Sequence, residues 1–246
     1  EMCIRDRSAN VSDRLEKTFT SVNFNMMIMI IYALITIAIF GMWYYARYEG
    51  NFLPSPKKTF NPMMIVAIVI LVPGTQFAAN FIANLTGYIR PDWLQQYNEL
   101  FETSGITDTT FVTVLYSVIL APICEELIFR GVTMRCARKA LPFALANLMQ
   151  AALFGLFHLN WIQGIYAFAL GIVLGYVCER GGSIYYSMGL HLLFNLWGTL
   201  SGFFPDPGNS VVVFVVVIVV TIVSLVAGFV LFNKGRRKLP INSTGI

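Results

Sequence analysis

Seven stretches of this chain are too long and too apolar for the interior of a water-soluble domain. They run over about 24–45, 62–87, 111–134, 141–158, 162–178, 183–203 and 211–232. A bilayer's hydrocarbon core is ~30 Å thick, and a helix rising 1.5 Å per residue needs about 20 apolar residues to cross it. Lipid offers the backbone no hydrogen-bond partners, so each stretch must be helical whatever its intrinsic propensity. That includes the last, a run made mostly of Val and Ile. The expected fold class is all-α, a polytopic membrane bundle of about seven to eight transmembrane helices. Composition agrees: 57% of the 246 residues are hydrophobic and 12% charged, against roughly 25% charged in soluble domains, and the mean hydropathy is +0.67. A soluble enzyme, a disordered chain and a nucleic-acid binder are excluded. The expected partners are the lipid bilayer and whatever the membrane site acts on, with no nucleic acid.

The net charge of +4 calls for no acidic partner. Its distribution sets an orientation instead. If seven spans alternate, Arg47, Lys57, Lys58, Arg135, Arg138, Lys139, Arg180, Lys234, Arg236, Arg237 and Lys238 share one side. Arg14, Lys17 and Arg90 lie on the other, joined by Arg5 and Arg7 if the first residues are native. Cytoplasmic loops are the Lys/Arg-rich ones, which puts the C-terminus in the cytoplasm. The expected location is a prokaryotic plasma membrane. The four cysteines form no C-x-x-C pair, and Cys124, Cys136 and Cys178 lie in or beside apolar segments, as small hydrophobes do.

Residues 1–7, Glu-Met-Cys-Ile-Arg-Asp-Arg, resemble a translated sequencing adapter and are set apart as an artefact. An N-terminal segment, 8–23, follows. Residues 24–110 hold two membrane helices and a polar loop. In that loop Trp93, Leu94, Tyr97, Leu100 and Phe101 recur at helical spacing, with Asp92, Gln95, Gln96, Glu99 and Glu102 between them. The pattern predicts an amphipathic helix on the membrane surface. Residues 111–203 form the core of the chain, and 204–246 its last membrane helix and basic tail.

Ionisable groups inside lipid are costly, at ~2.5–3.5 kcal/mol each on insertion scales, and so mark function by default. Here they cluster. The third stretch reads Ala121-Pro122-Ile123-Cys124-Glu125-Glu126-Leu127-Ile128-Phe129-Arg130-Gly131. Glu126 and Arg130, at i and i+4, share a helix face and can pair. Glu125, rotated ~100° away, is left for chemistry, and Pro122 removes a backbone donor one turn earlier. The two histidines of the chain both lie in apolar surroundings: His158 closes Phe154-Gly155-Leu156-Phe157-His158, and His191 opens His191-Leu192-Leu193-Phe194-Asn195. Counting from a turn near Leu141-Pro142, Glu125 and His158 both rise ~24–26 Å and can share one level. His191 rises only ~15 Å from a turn near Gly181-Gly182, so tilt or an irregular segment must supply the difference.

Glu-Glu-x-x-x-Arg, Phe-x-x-x-His and His-x-x-x-Asn, each on its own membrane helix, resemble the signature of the CPBP (Abi) family, which includes type II CAAX prenyl endopeptidases. Phe129-Arg130-Gly131, the Gly171/Gly175 pair and the Gly181-Gly182 turn fit as well. The resemblance makes 111–203 a CPBP-like catalytic core and implies a glutamate-dependent intramembrane endopeptidase. Carried over by motif position, Glu125 activates water and His158 holds and polarises it. His191 and Asn195 stabilise the tetrahedral oxyanion, and Glu126 and Arg130 support the site. Peptide hydrolysis needs such a base, a positioned water and oxyanion donors. The expected substrate is a membrane-associated peptide or protein, lipidated or leader-bearing. No cofactor is expected; the alternative is zinc on Glu125, His158 and His191, against which stand the missing H-E-x-x-H motif and the hydrogen-bonding character of Asn195. The alternative function is a non-catalytic CPBP-like membrane protein, an immunity or scaffold factor. A transporter using the buried charges is weaker, since neither repeats nor paired broken helices appear.

Overall fold

The structure is a computed structural model and describes residues 22–49, 60–104, 110–201 and 210–236. Residues 1–7 and nearly all of 8–23 lie outside the described residues, as does most of the basic tail. The described residues form helices and no strand. We label them α1 (Val22–Tyr44, continued by a π turn at Tyr45–Glu49), α2 (Pro62–Ile89), α3 (Pro91–Ser104), α4 (Phe111–Ala137), α5 (Phe143–Phe157), α6 (Trp161–Gly181), α7 (Ile184–Ser201) and α8 (Val211–Arg236). All seven apolar stretches become helices, with ends moved by a few residues. Five of them, in α1, α2, α4, α6 and α8, are long and apolar enough to cross a membrane. α5 has 15 residues, a rise of ~22 Å, which is shorter than the hydrocarbon core. The apolar run of α7, itself a continuous helix, is interrupted by Ser187, His191 and Asn195.

Helix boundaries follow from local chemistry. α2 starts at Asn61, whose Oδ1 accepts from Met63 N at 2.9 Å, with Pro62 in the first turn where its missing N–H is harmless. The same Asn61 donates from Nδ2 to Gly235 O on α8 and from its backbone N to Tyr186 Oη on α7, each at 2.9 Å. One cap therefore ties three helices. α6 starts at Asn160, which caps Gln163 N at 3.1 Å, and ends at Gly182, whose φ of 65° is left-handed.

The bundle is apolar outside and holds polar side chains in its interior. Val212, Val216, Val219, Val223, Val226 and Val230 of α8 are exposed, whereas Thr75, Gln76, Asn147, Gln150 and Ser187 are buried. Water would make such a surface untenable and lipid makes it favourable; the chain is an integral membrane protein. α2 packs along α8 with Met64, Leu71 and Phe232 between them, and Leu174, Tyr186 and Leu190 join from α6 and α7. Pro73 breaks the α2 hydrogen-bond ladder, and Ser224 of α8 inserts there. Its Oγ accepts from Gly74 N at 2.9 Å and donates to Ile70 O, the carbonyl that Gly74 would otherwise use. α5 and α6 approach closely through glycine: a Cβ at Gly175 would stand 1.9 Å from Asn147 Oδ1.

The amphipathic loop helix is α3, which begins at Pro91, just after α2 ends at Ile89. It docks by its apolar face. Trp93 stacks on Trp161 of α6 with ring centroids 5.4 Å apart, and Leu94 covers Gly87. Arg90 lies over the Trp93 ring and pairs with Asp92 at 2.6 Å. The hydrogen bond from Arg90 holds the Asp92 carboxyl below the usual range.

Candidate active site

α4 carries the two carboxylates, and it is not a uniform α-helix. Wide π turns at Leu115–Leu120 and Leu127–Met134 flank a short α segment, Ala121–Glu126. Ala121 N–H reaches back five residues to Tyr116 O. Pro122 explains the first widening: its ring crowds the preceding turn and it offers no N–H to close it.

Glu126 and Arg130 pair as the i, i+4 spacing predicts, with Oε1 and Nη1 2.8 Å apart and both side chains fully buried. Arg130 also reaches Gly171 O on α6 at 3.3 Å, a carbonyl shared with Gln150 Nε2 at 2.9 Å. The guanidinium lies 4.5 Å from the centroid of the Phe154 ring. Gly171 belongs here for a second reason: a Cβ on it would press within 3.1–3.2 Å of Ala151 and Phe154.

His191 of α7 joins the two carboxylates. Its Nδ1 is 3.0 Å from Glu126 Oε1 and its Nε2 is 3.6 Å from Glu125 Oε2. Glu126 Oε1 accepts from Arg130 Nη1, and the His191 Nδ1–H donates to the same oxygen. The shortfall in height foreseen for His191 is closed by how the Gly181–Gly182 turn is seated. Gly181, Ser183 and Ile184 are buried, while Lys139, Ala140 and Pro142 of the α4–α5 turn are exposed. Ile184 packs beside Gly131, whose Cβ would meet Ile184 Cδ1 at 3.3 Å. Glu125 lies six residues before Gly131 and His191 seven after Ile184, so both stand ~10 Å from that contact.

His158 is reached through Phe154. The Phe154 ring meets the imidazoles of His158 and His191 edge to face, with centroids 4.9 and 5.7 Å away. His158 caps α5, and its Nδ1–H donates to Phe154 O at 2.8 Å, which leaves Nε2 with a free lone pair. Leu159 follows in the left-handed region at φ 53°, turning the chain sharply behind the histidine. Asn195, one turn beyond His191, donates from Nδ2 to the backbone carbonyl of Ser117 on α4 at 2.8 Å.

The carboxylates differ in access. The Glu125 side chain keeps 15% of its surface exposed and that of Glu126 none. Glu125 is left partly accessible; Glu126 is committed to Arg130 and His191. Among the described residues, no group of three His, Cys, Asp or Glu side chains is gathered closely enough to hold a metal ion. The sequence reading did not single out Asn147 and Gln150 on α5. Both are buried, Gln150 completely, and Gln150 Nε2 donates to Asn147 Oδ1 at 2.7 Å. The rule that exposed Glu125, a polar group in a lipid segment, would have found them as well.

A partly exposed carboxylate beside an imidazole, in a helix long and apolar enough to cross lipid, defines a class: a polar site inside a membrane bundle. The comparison with known families gives it a name. The family described as Type II CAAX prenyl endopeptidase Rce1-like matches residues 107–197, which hold all three motifs. Over that segment the chain is similar to the Rce1-like family of type II CAAX prenyl endopeptidases. No curated protein and no solved structure matches the chain.

Proposed function

We propose that this chain is an intramembrane endopeptidase that hydrolyses a peptide bond in a membrane-associated substrate, lipidated or leader-bearing, with water activated by Glu125. The observation that carries the reading is the division of labour between adjacent carboxylates. Glu126 is locked by Arg130, and Glu125 is left partly exposed beside His191. The Rce1-like match over the same residues supports it.

In this mechanism Glu125 takes a proton from water as the water oxygen bonds to the scissile carbonyl carbon. His158, whose Nε2 lone pair is free, orients that water. Charge develops on the carbonyl oxygen. His191 Nε2 and the second Nδ2–H of Asn195 donate to it, and for His191 this requires an imidazolium, since Nδ1–H is already given to Glu126. The C–N bond then breaks as the proton held by Glu125 passes to the departing amine. No metal is required by this scheme; activity that survives EDTA supports it, and activity lost to EDTA and restored by zinc replaces it with the Glu125, His158, His191 alternative.

The test is cleavage of lipidated and leader-bearing peptides by the protein in liposomes, compared with Glu125→Ala and His158→Ala. Cleavage lost in both variants supports the reading. A protective phenotype in cells that survives both substitutions favours a non-catalytic immunity or scaffold role.

A further inference from the structure

The contact between Asn195 and Ser117 has an origin in α4 itself. Residue 121 donates its N–H five residues back, to Tyr116 O. The next bond in that wide register would run from residue 122 to Ser117 O, but residue 122 is proline and has no N–H. In a regular α-helix Ser117 O would accept from Ala121, whose N–H is already spent on Tyr116. The Ser117 carbonyl is therefore left by its own helix, inside a bundle where an unmet acceptor is costly. Asn195 Nδ2 fills that need from α7 at 2.8 Å.

We infer that Pro122 and the Ser117 carbonyl together are a positioning device for Asn195. The proline keeps the π turn open, the open turn presents a carbonyl sideways, and the carbonyl takes one amide hydrogen of Asn195. This fixes the rotamer, and the second hydrogen is aimed by the planarity of the amide. Positioning of this kind acts on the reaction only through Asn195, and so rests on the proteolytic reading. The hydrogen bond itself does not.

The test uses the full-length protein and two readouts. In the first, asparagine side chains are ¹⁵N-labelled and the Asn195 amide resonance is identified by its loss in Asn195→Ala. Pro122→Ala restores an N–H to α4 and lets the helix reclaim Ser117 O. It is expected to shift the Asn195 resonance; an unmoved resonance in a folded protein overturns the inference whatever the activity. In the second, kcat and KM are measured for Pro122→Ala, Asn195→Ala and the double variant. Pro122→Ala alone is expected to lower kcat by about tenfold or more, with KM changed by less than about twofold, as for a misaimed transition-state donor. In the Asn195→Ala background the same substitution is expected to change kcat by less than about twofold, because groups acting through one another are not additive. Losses that multiply independently overturn the inference. If Pro122→Ala does not fold, the Ser117–Val118 peptide is replaced by an ester, which weakens the Ser117 acceptor while leaving every side chain in place. A shifted Asn195 resonance supports the inference and an unshifted one overturns it. Absence of cleavage by the parent protein, or cleavage unaffected by Glu125→Ala, defeats the proteolytic reading alone and leaves the resonance to decide this one.

Discussion

Glu125 and Glu126 are chemically identical neighbours whose surroundings give them different tasks. Glu125→Gln keeps the shape and removes the base. It is expected to lower the cleavage rate by about 10²–10⁴-fold, with little change in thermal stability, as read by peptide cleavage and by unfolding in the same detergent. Arg130→Met does the converse. It takes the guanidinium partner from the buried Glu126 carboxylate and strips Gly171 O of one donor. Breaking a buried pair from one side costs about 3–5 kcal/mol, so a clear fall in the thermal midpoint is expected. The Glu126–Arg130 pair was legible in the sequence because i and i+4 spacing is a property of one helix. The meeting of Glu125 with His191 was not, since it depends on where two turns sit relative to each other.

At the scale of helices, small residues decide which elements can approach. Gly175 lets α6 lie against Asn147 of α5. A methyl group there must displace Asn147, whose Nδ2 donates to Ile172 O at 3.0 Å. Gly175→Ala is expected to cost about 1–3 kcal/mol as an overpacked contact and to lower activity with it, by loosening the α5 helix that ends in His158; thermal unfolding and cleavage assays check the two together. The docked α3 was visible as an amphipathic pattern, but the pattern could not name its acceptor. Trp161, which opens α6, supplies it by stacking. The irregular turns of α4 were announced only by Pro122. A proline says that a helix is disturbed, and the neighbouring helices determine what uses the groups it frees.

At the scale of the molecule, the valine-covered outside and the polar side chains held inside state the same physical fact twice: lipid is the solvent. Among the described helices, α1, α2, α4, α6 and α8 can each cross, while α5 is too short and ends at His158. The end of this short helix holds His158, half-buried, edge to face with the Phe154 ring. We expect the Lys/Arg-rich ends, including that after α8, to face the cytoplasm. A reporter fused to the C-terminus checks this, since an enzyme active only outside the cytoplasm should stay inactive there and one active only within it should work.

Periodicity and apolar length were enough to establish an all-helical membrane chain and its helix positions, because each of these is set within a single helix or by transfer from water to lipid; the three motifs were legible as a family resemblance. The buried charges also announced themselves, since a carboxylate in hydrocarbon is expensive wherever it points. Which groups touch was settled by packing between helices: the seating of Ile184 against Gly131, the Phe154 ring between two histidines, and the amide of Asn195 on a carbonyl that α4 could not satisfy. Those contacts depend on the relative height and rotation of elements far apart in the chain, and local spacing carries no record of either.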